Sequence, residues 1–305
     1  MSPIVLLLAY GAALVAISIF GGNLPERVAM THTRTQMAMS LVSGLMLGIA
    51  FFHLLPHSLL TLGVDHGLNI AMAWVMLGLI TMLMLLRILH FHQPDYPADV
   101  LQTCEHGHSH SQGVAHEDET PDPVIPAIAP GSWRGVLLGL TFHTFIDGVA
   151  LGAALLSAPH GNAEQLMGFG VFLAILLHKP LDAMSITALM KAGGASTGAR
   201  QRANLLFAFV CPLGAAVFYL YAPSLGDSSP AVIAAALAFS AGAFMCIALS
   251  DLLPEVQFHS HDRVKLTALF LFGIGLSYLM ASSSPQHSHA VVSELPVPIG
   301  LHSTG

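Results

Sequence analysis

Charged residues are scarce in this chain of 305 residues, because Asp, Glu, Lys and Arg together make up only 9% of it. An ordinary soluble domain has about 25%. So few charges could not cover the surface of a soluble protein of this size, which excludes a soluble globular enzyme. A net charge of −7 without a basic patch excludes a nucleic-acid-binding protein. The three cysteines are too few and too scattered for a disulfide framework.

Long hydrophobic runs are what the chain has instead. Hydrophobic residues make up 54% of it, which excludes a disordered protein, and the mean hydropathy is +0.70. A helix needs about 20 mostly apolar residues to cross a bilayer. Eight stretches meet that requirement, so the sequence predicts an all-α polytopic membrane protein. These spans are 3–20, 37–60, 67–89, 132–157, 164–190, 203–222, 230–252 and 264–281.

The basic residues predict how the chain is oriented. Nine of the ten lie in alternate connections, which the positive-inside rule places in the cytoplasm. Both termini are then outside, as an even number of spans requires. The first span lacks the basic start and the cleavage site of a signal peptide. We therefore expect an integral protein of the plasma membrane, most readily a bacterial inner membrane.

These features divide the chain into five segments. The longest connection is rich in proline and acidic residues and has almost no apolar periodicity, so we expect it to be disordered in the cytoplasm. The segments are 1–90 with spans one to three, the His-rich and Pro-rich loop 91–131, 132–190 with spans four and five, 191–281 with spans six to eight, and the external polar tail 282–305.

The loop contains a run of alternating metal-binding residues. They are Cys104, His106, His108 and His110. Alternating histidines bind divalent transition metals weakly without needing a fold. Two interpretations stay open, a metal-binding loop that matters for function and a solvated linker.

Ionisable residues inside spans four and five indicate a functional site, because they are costly within a membrane. His143 and Asp147 lie in span four, and His178 and Asp182 in span five. A spacing of four residues places each pair on one helix face. His143 is eleven residues into its span and His178 fourteen, or roughly 16 and 21 Å of rise. We predict a divalent-metal site near mid-membrane; the alternative is two structural His–Asp hydrogen bonds.

Spans two and seven match each other at a constant offset. The segment from Gly44 to Pro56 aligns with that from Gly242 to Pro254, 198 residues later. Because these spans cross in opposite directions, the pattern is typical of an inverted-topology repeat. Four residues at the span ends then mark the mouths of a pathway, or are simply interfacial. They are His53 and His57 at the outer face and Asp251 and Glu255 at the inner face.

These motifs resemble those of the ZIP (Zrt/Irt-like) metal transporters. The similar segments are His143-Thr-Phe-Ile-Asp147-Gly, His178-Lys-Pro-Leu-Asp182, the two Leu-Leu-Pro motifs and the His-rich loop after span three. The resemblance covers all eight spans. It implies a 3+2+3 helix arrangement, assembly as a dimer, metal movement toward the cytoplasm and a primary site of His143, Asp147, His178 and Asp182. Met46 matches a position that lines this site.

Three positions depart from the commonest pattern of that family. Thr144 stands where Asn is usual, Lys179 stands where an acidic or amide residue helps to hold a second metal, and Cys211 replaces a bridging Glu. Together they point to the subgroup with one metal and a Lys after the span-five His, with Lys179 as a fixed cation. Cys211 is either a soft metal ligand or a small buried residue.

The predicted function is secondary transport of a divalent transition metal toward the cytoplasm by alternating access. Zinc is the expected substrate, although a His/Asp site also admits Cd²⁺, Fe²⁺ and Mn²⁺. The sequence lacks GxxxxGK[ST], so we expect no nucleotide partner, and the bilayer and metal ions are the expected partners. We expect a transporter and not an enzyme. Two alternatives stay open, an intramembrane zinc hydrolase and a metal exporter.

Overall fold

Long helices account for nearly all of the structure, a computed structural model that describes residues 2–24, 32–89, 133–157, 168–258 and 263–282. The described residues contain no β-strand, as the all-α prediction requires. The helices are α1 (Pro3–Gly22), α2 (His32–Ile49), a π-helical turn (Ala50–Leu54), α3 (Leu55–Leu62), α4 (Val64–Leu89), α5 (Trp133–Leu156), α6 (Phe169–Ala192), α7 (Thr197–Tyr221), a 3-10 turn (Ala222–Ser228), α8 (Ser229–Phe258) and α9 (Arg263–Ser282).

Seven helical runs within the described residues are long and apolar enough to cross a membrane. The longest, Thr197–Ser250, has 54 residues and contains the 3-10 turn between α7 and α8. Within that turn Gly226 has a φ of +57°, which glycine adopts without a steric penalty. Because one crossing takes about 20 residues, this run is long enough for two.

The helices pack in pairs that an exchange of the two halves of the chain relates to one another. α2 packs along α9, and α4 packs along α8. Under the repeat, α2 corresponds to α8 and α4 corresponds to α9. The pair of α2 with α9 in one half therefore corresponds to the pair of α8 with α4. In the same way, α5 packs along α7, and α6 packs along α1. The pairing therefore matches the repeat that the aligned segments of spans two and seven indicate.

The most extensive contacts separate the helices into two groups. One group contains α1, α5, α6 and α7; the other contains α2, α3, α4, α8 and α9. A large apolar cluster joins the groups, and its members include Met46 and Ile49 of α2 and Val171 and Ile175 of α6. The candidate site lies in the first group and faces the second.

Small residues bring helix backbones close together inside each group. A Cβ on Gly44 of α2 would collide with the backbone of Phe270 on α9. A Cβ on Gly148 of α5 would collide with the carbonyl oxygen of Cys211 on α7. Close approach of this kind is how helices pack in membranes, where lipid is as apolar as the side chains. Because Gly148 follows Asp147, this contact also holds the backbone next to Asp147 close to α7.

The second span contains a break that the sequence analysis did not predict. At the π-helical turn, the N–H of Leu55 donates to the carbonyl of Ala50, five residues earlier. Pro56 follows directly and has no N–H to continue the α-helical pattern. Such turns are frequent at functional sites, and this one carries His53.

Candidate metal centre

Four side chains with metal-ligand chemistry meet between α5 and α6. His143 and Asp147 come from α5, and His178 and Asp182 come from α6. One ligand atom from each of the four lies within 4.8 Å of the corresponding atom of every other. The fold therefore brings together all four residues that the sequence predicts as the primary site.

The contacts run between the helices as well as along them. His143 Nδ1 is 3.4 Å from Asp147 Oδ1, and His178 Nε2 is 3.2 Å from Asp147 Oδ2. Asp182 Oδ2 is 3.9 Å from His143 Nε2 and 3.8 Å from His178 Nε2. Tetrahedral zinc with bonds of about 2.1 Å holds its ligand atoms about 3.4 Å apart. The four residues thus form one convergent set and not two separate His–Asp pairs.

The hydrogen bond of His178 determines which ring nitrogen is available to a metal. His178 Nδ1 is 2.8 Å from the carbonyl oxygen of Ala174, which can only accept, so Nδ1 carries the proton and donates. Nε2 then faces Asp147 Oδ2, another acceptor, at 3.2 Å. Two acceptors face each other stably only with a cation between them, either a proton or a metal ion. A carbonyl behind the imidazole is also the usual support for a metal-ligating histidine.

Burial makes it energetically unfavourable to leave these polar groups without partners. Asp147 is fully buried, whereas Asp182 is the most exposed of the four, with 16% of its side chain accessible. Some of their atoms are buried without a hydrogen-bond partner among the described residues: both ring nitrogens of His143, Asp147 Oδ1 and Asp182 Oδ2. Buried polar atoms are costly unless they are paired, and one divalent ion would satisfy this whole set.

Lys179 is fully buried beside the four-residue set. Its ammonium donates a hydrogen bond of 2.6 Å to Thr144 Oγ1, and it lies 4.3 Å from the centre of the Phe207 ring. Asp182 Oδ2 is 3.9 Å away. The sequence analysis identified Lys179 and noted Thr144, but it missed Phe207. The available signal was its position on α7, four residues before Cys211 and therefore on the same helix face.

The two secondary ligand candidates lie in an apolar environment. Met46 and Cys211 are both buried in the large apolar cluster that joins the helix groups. Among the described residues, the group of His, Cys and carboxylate ligand atoms within 4.8 Å of one another does not include the Cys211 sulfur. Their roles stay predictions.

The two outer-mouth candidates lie on the broken second span. A ring nitrogen of His53 is 3.2 Å from the carbonyl oxygen of Ser277 on α9, and His57 Nδ1 donates to the carbonyl of His53 at 2.7 Å. A Cβ on Gly170, near the start of α6, would lie 3.2 Å from the His53 ring. His53 therefore contacts both helix groups.

The other predicted residues lie beyond what can be described in detail. Asp251 and Glu255 belong to α8, but their side chains are outside the described part of the structure. The loop residues Cys104, His106, His108 and His110 lie outside the described residues altogether. The pathway and loop assignments stay predictions.

Comparison with known proteins decides the family. A family model described as ZIP Zinc transporter matches residues 3–281. The chain belongs to the ZIP zinc transporter family. It is therefore an all-α polytopic membrane protein in a family of transporters and not of enzymes, as the sequence predicts.

Individual members of the ZIP family match parts of the chain. Zinc transporter ZIP9-B of Xenopus laevis is 34% identical over 159 residues, which are 50% of this chain and 50% of that protein. Zinc transporter foi of Drosophila melanogaster is 28% identical over 214 residues, covering 64% of this chain and 28% of that protein. Zinc transporter ZIP1 of Mus musculus is 26% identical over 188 residues, covering 60% and 54%. The chain thus spans about half the length, or less, of the curated relatives it matches.

Proposed function

We propose that this protein transports zinc across a membrane through the site between α5 and α6. The observation that carries the proposal is the convergence to within 4.8 Å of four donors, the buried His143, Asp147 and His178 and the partly buried Asp182. Two imidazoles and two carboxylates form a set that suits zinc and other divalent transition metals. The relatives are named zinc transporters, which favours zinc over Cd²⁺, Fe²⁺ or Mn²⁺ as substrate.

A membrane potential that is negative inside favours entry of the ion. A charge that moves into a negative interior gains about 2.3 kcal/mol per 100 mV, so a divalent ion gains about 4.6 kcal/mol. Two carboxylates balance the charge of one Zn²⁺. Lys179 adds one positive charge beside them and weakens the hold on the ion, which favours its release.

The burial of the surrounding residues supports release toward the cytoplasm. Under the predicted orientation, Val171 and Ile175 lie on the outer half of α6, and both are buried. Asp182, the most exposed ligand, lies one turn nearer the inner end of α6 than His178 does. We infer that this arrangement faces inward and that Asp182 is the last ligand to lose the ion.

We propose alternating access by movement of one helix group against the other. The four-residue site belongs to the group of α1, α5, α6 and α7, whereas α2 and α8 cover it from the second group. A shift of the first group past the second would uncover the site on the outer side. Eight crossings in a 3+2+3 layout, both termini outside, an inner bacterial membrane and assembly as a dimer are part of the same proposal.

Zinc flux into proteoliposomes tests this function. We expect zinc uptake by the reconstituted wild type, at a rate that rises when the inside of the liposomes is made electrically negative. We expect Asp147→Asn to lose this uptake. Asp227→Asn is the matched control, because Asp227 is exposed in the 3-10 turn, far along the chain from the site. Zinc movement only from the cytoplasmic side of the protein to its outer side would indicate an exporter. Ester or amide hydrolysis without flux would indicate a hydrolase.

A further inference from the structure

The ammonium of Lys179 lies beside a carboxylate that it does not hydrogen-bond. The Nζ–Oδ2 distance to Asp182 is 3.9 Å, beyond the range of a hydrogen bond. Asp182 Oδ2 is buried and has no hydrogen-bond partner among the residues that the structure describes. A buried cation and a buried anion attract each other strongly in a medium of low dielectric constant. Some other interaction must therefore keep them apart.

Two neutral groups supply that interaction. The hydroxyl of Thr144 accepts a hydrogen bond of 2.6 Å from Lys179 Nζ. The ring of Phe207 lies 4.3 Å from Nζ, well within the 6 Å limit for a cation–π contact. Because Lys179 is fully buried, water does not weaken either contact. The ammonium is thus held by α5 and α7, although its own helix, α6, carries Asp182.

We propose that Phe207 and Thr144 are positioning residues that keep the Lys179 ammonium off Asp182 and leave Oδ2 free to bind metal. Without them, the ammonium closes on Asp182 in a charge-assisted hydrogen bond of about 2.8 Å. An incoming ion must then break that bond before it gains its fourth ligand. This inference rests on the proposed function only in assuming that the four-residue site binds metal.

Phe207 also packs against apolar neighbours, which offers a plain packing role as the alternative. It shares a cluster with Ala183, Ile186 and Met190. Under the packing role, shortening the ring alters the site whether or not Lys179 is present. Under the positioning role, the effect requires the ammonium. The two roles therefore separate in a double-mutant cycle with Lys179.

The test is zinc affinity of the purified full chain in detergent, measured by competition with a chelating dye. Phe207→Leu keeps an apolar side chain but removes the aromatic face, and Thr144→Val keeps the shape but removes the hydroxyl. We expect each to weaken zinc binding about tenfold to thirtyfold, the factor that a desolvated cation–π contact represents. In a Lys179→Met background, we expect the same two substitutions to change affinity by less than about twofold.

Each outcome of this cycle is decisive. Equal weakening with and without the ammonium would establish the packing role, and unchanged affinity in Phe207→Leu and Thr144→Val would also overturn the proposal. Two independent substitutions on different helices keep the test valid if one of them misfolds. Absence of zinc binding in the wild type would overturn the proposed function itself. Binding without flux would leave the positioning role standing.

Discussion

Two pairs of helices that the repeat relates, α5 with α6 and α2 with α8, differ in how they place their polar residues. α5 and α6 both carry His and Asp four residues apart, and the fold brings all four side chains within 4.8 Å. α2 and α8 also match in sequence, but the first breaks into a π-helical turn at His53 while the second stays helical through the matching Asp251.

Under the proposed inverted topology, depth in the membrane accounts for this difference. An inverted repeat carries a residue at mid-membrane to the same depth, and it carries a residue near one face to the opposite face. Central residues of the two halves can therefore share one site. Residues near the helix ends cannot, so they are free to differ in chemistry and in backbone shape, as His53 and Asp251 do.

Removing central ligands should have the largest effect. We expect His143→Ala and Asp182→Ala each to abolish zinc transport and to weaken zinc binding at least a hundredfold, because each removes a donor from a four-donor set. Uptake assays and binding titrations measure both effects, with Asp227→Ala as the control. Wild-type uptake by a folded double variant would show that the shared site is not the transport site.

Replacing the fixed cation should change the number of bound ions. We expect one central zinc ion in the wild type and two in Lys179→Glu, because a carboxylate supplies both a ligand and charge where the ammonium repels a second ion. Metal analysis of dialysed protein counts them, with Lys191→Glu as the control at the exposed end of α6. Two tightly bound ions in the wild type would refute the single-metal site.

The peripheral residues should be reachable from opposite sides of the membrane. We expect an impermeant thiol reagent to label His57→Cys only from outside and Glu255→Cys only from the cytoplasm, in a background without native cysteines. Mass spectrometry of right-side-out and inverted vesicles distinguishes the sides. Labelling of both positions from a single side would contradict the inverted topology.

The smallest effect concerns the close packing behind the site. Gly148→Ala should destabilise the protein by about 1–3 kcal/mol, because its Cβ collides with the backbone of α7. Gly198→Ala is the matched control, since a Cβ there meets nothing within 4 Å. Thermal unfolding in detergent compares the two. Gly242→Ala, whose Cβ meets the α4 backbone, should destabilise equally but leave zinc affinity unchanged.

The sequence predicted where the helices lie better than it predicted the residues at which they begin and end. Hydropathy locates the first span at 3–20, and α1 is Pro3–Gly22. It places the sixth at 203–222, whereas α7 begins at Thr197, after an N-cap in which Ser196 accepts from the N–H of Ala199. Hydropathy counts apolar residues, but a helix continues into polar ones wherever its hydrogen bonds and caps allow. The same reason explains why α8 continues to Phe258.

The sequence by itself determined what depends on composition and on spacing along one helix. Scarce charge and long apolar runs require membrane helices, and a separation of four residues places His143 with Asp147 and His178 with Asp182 on one face. The rotation of α5 relative to α6 was decided only by tertiary structure, through contacts such as that of Gly148 with α7. The contact of Lys179 with Phe207 was also decided only by tertiary structure. A contact between two helices depends on how both of them pack, and it produces no periodic pattern in the sequence.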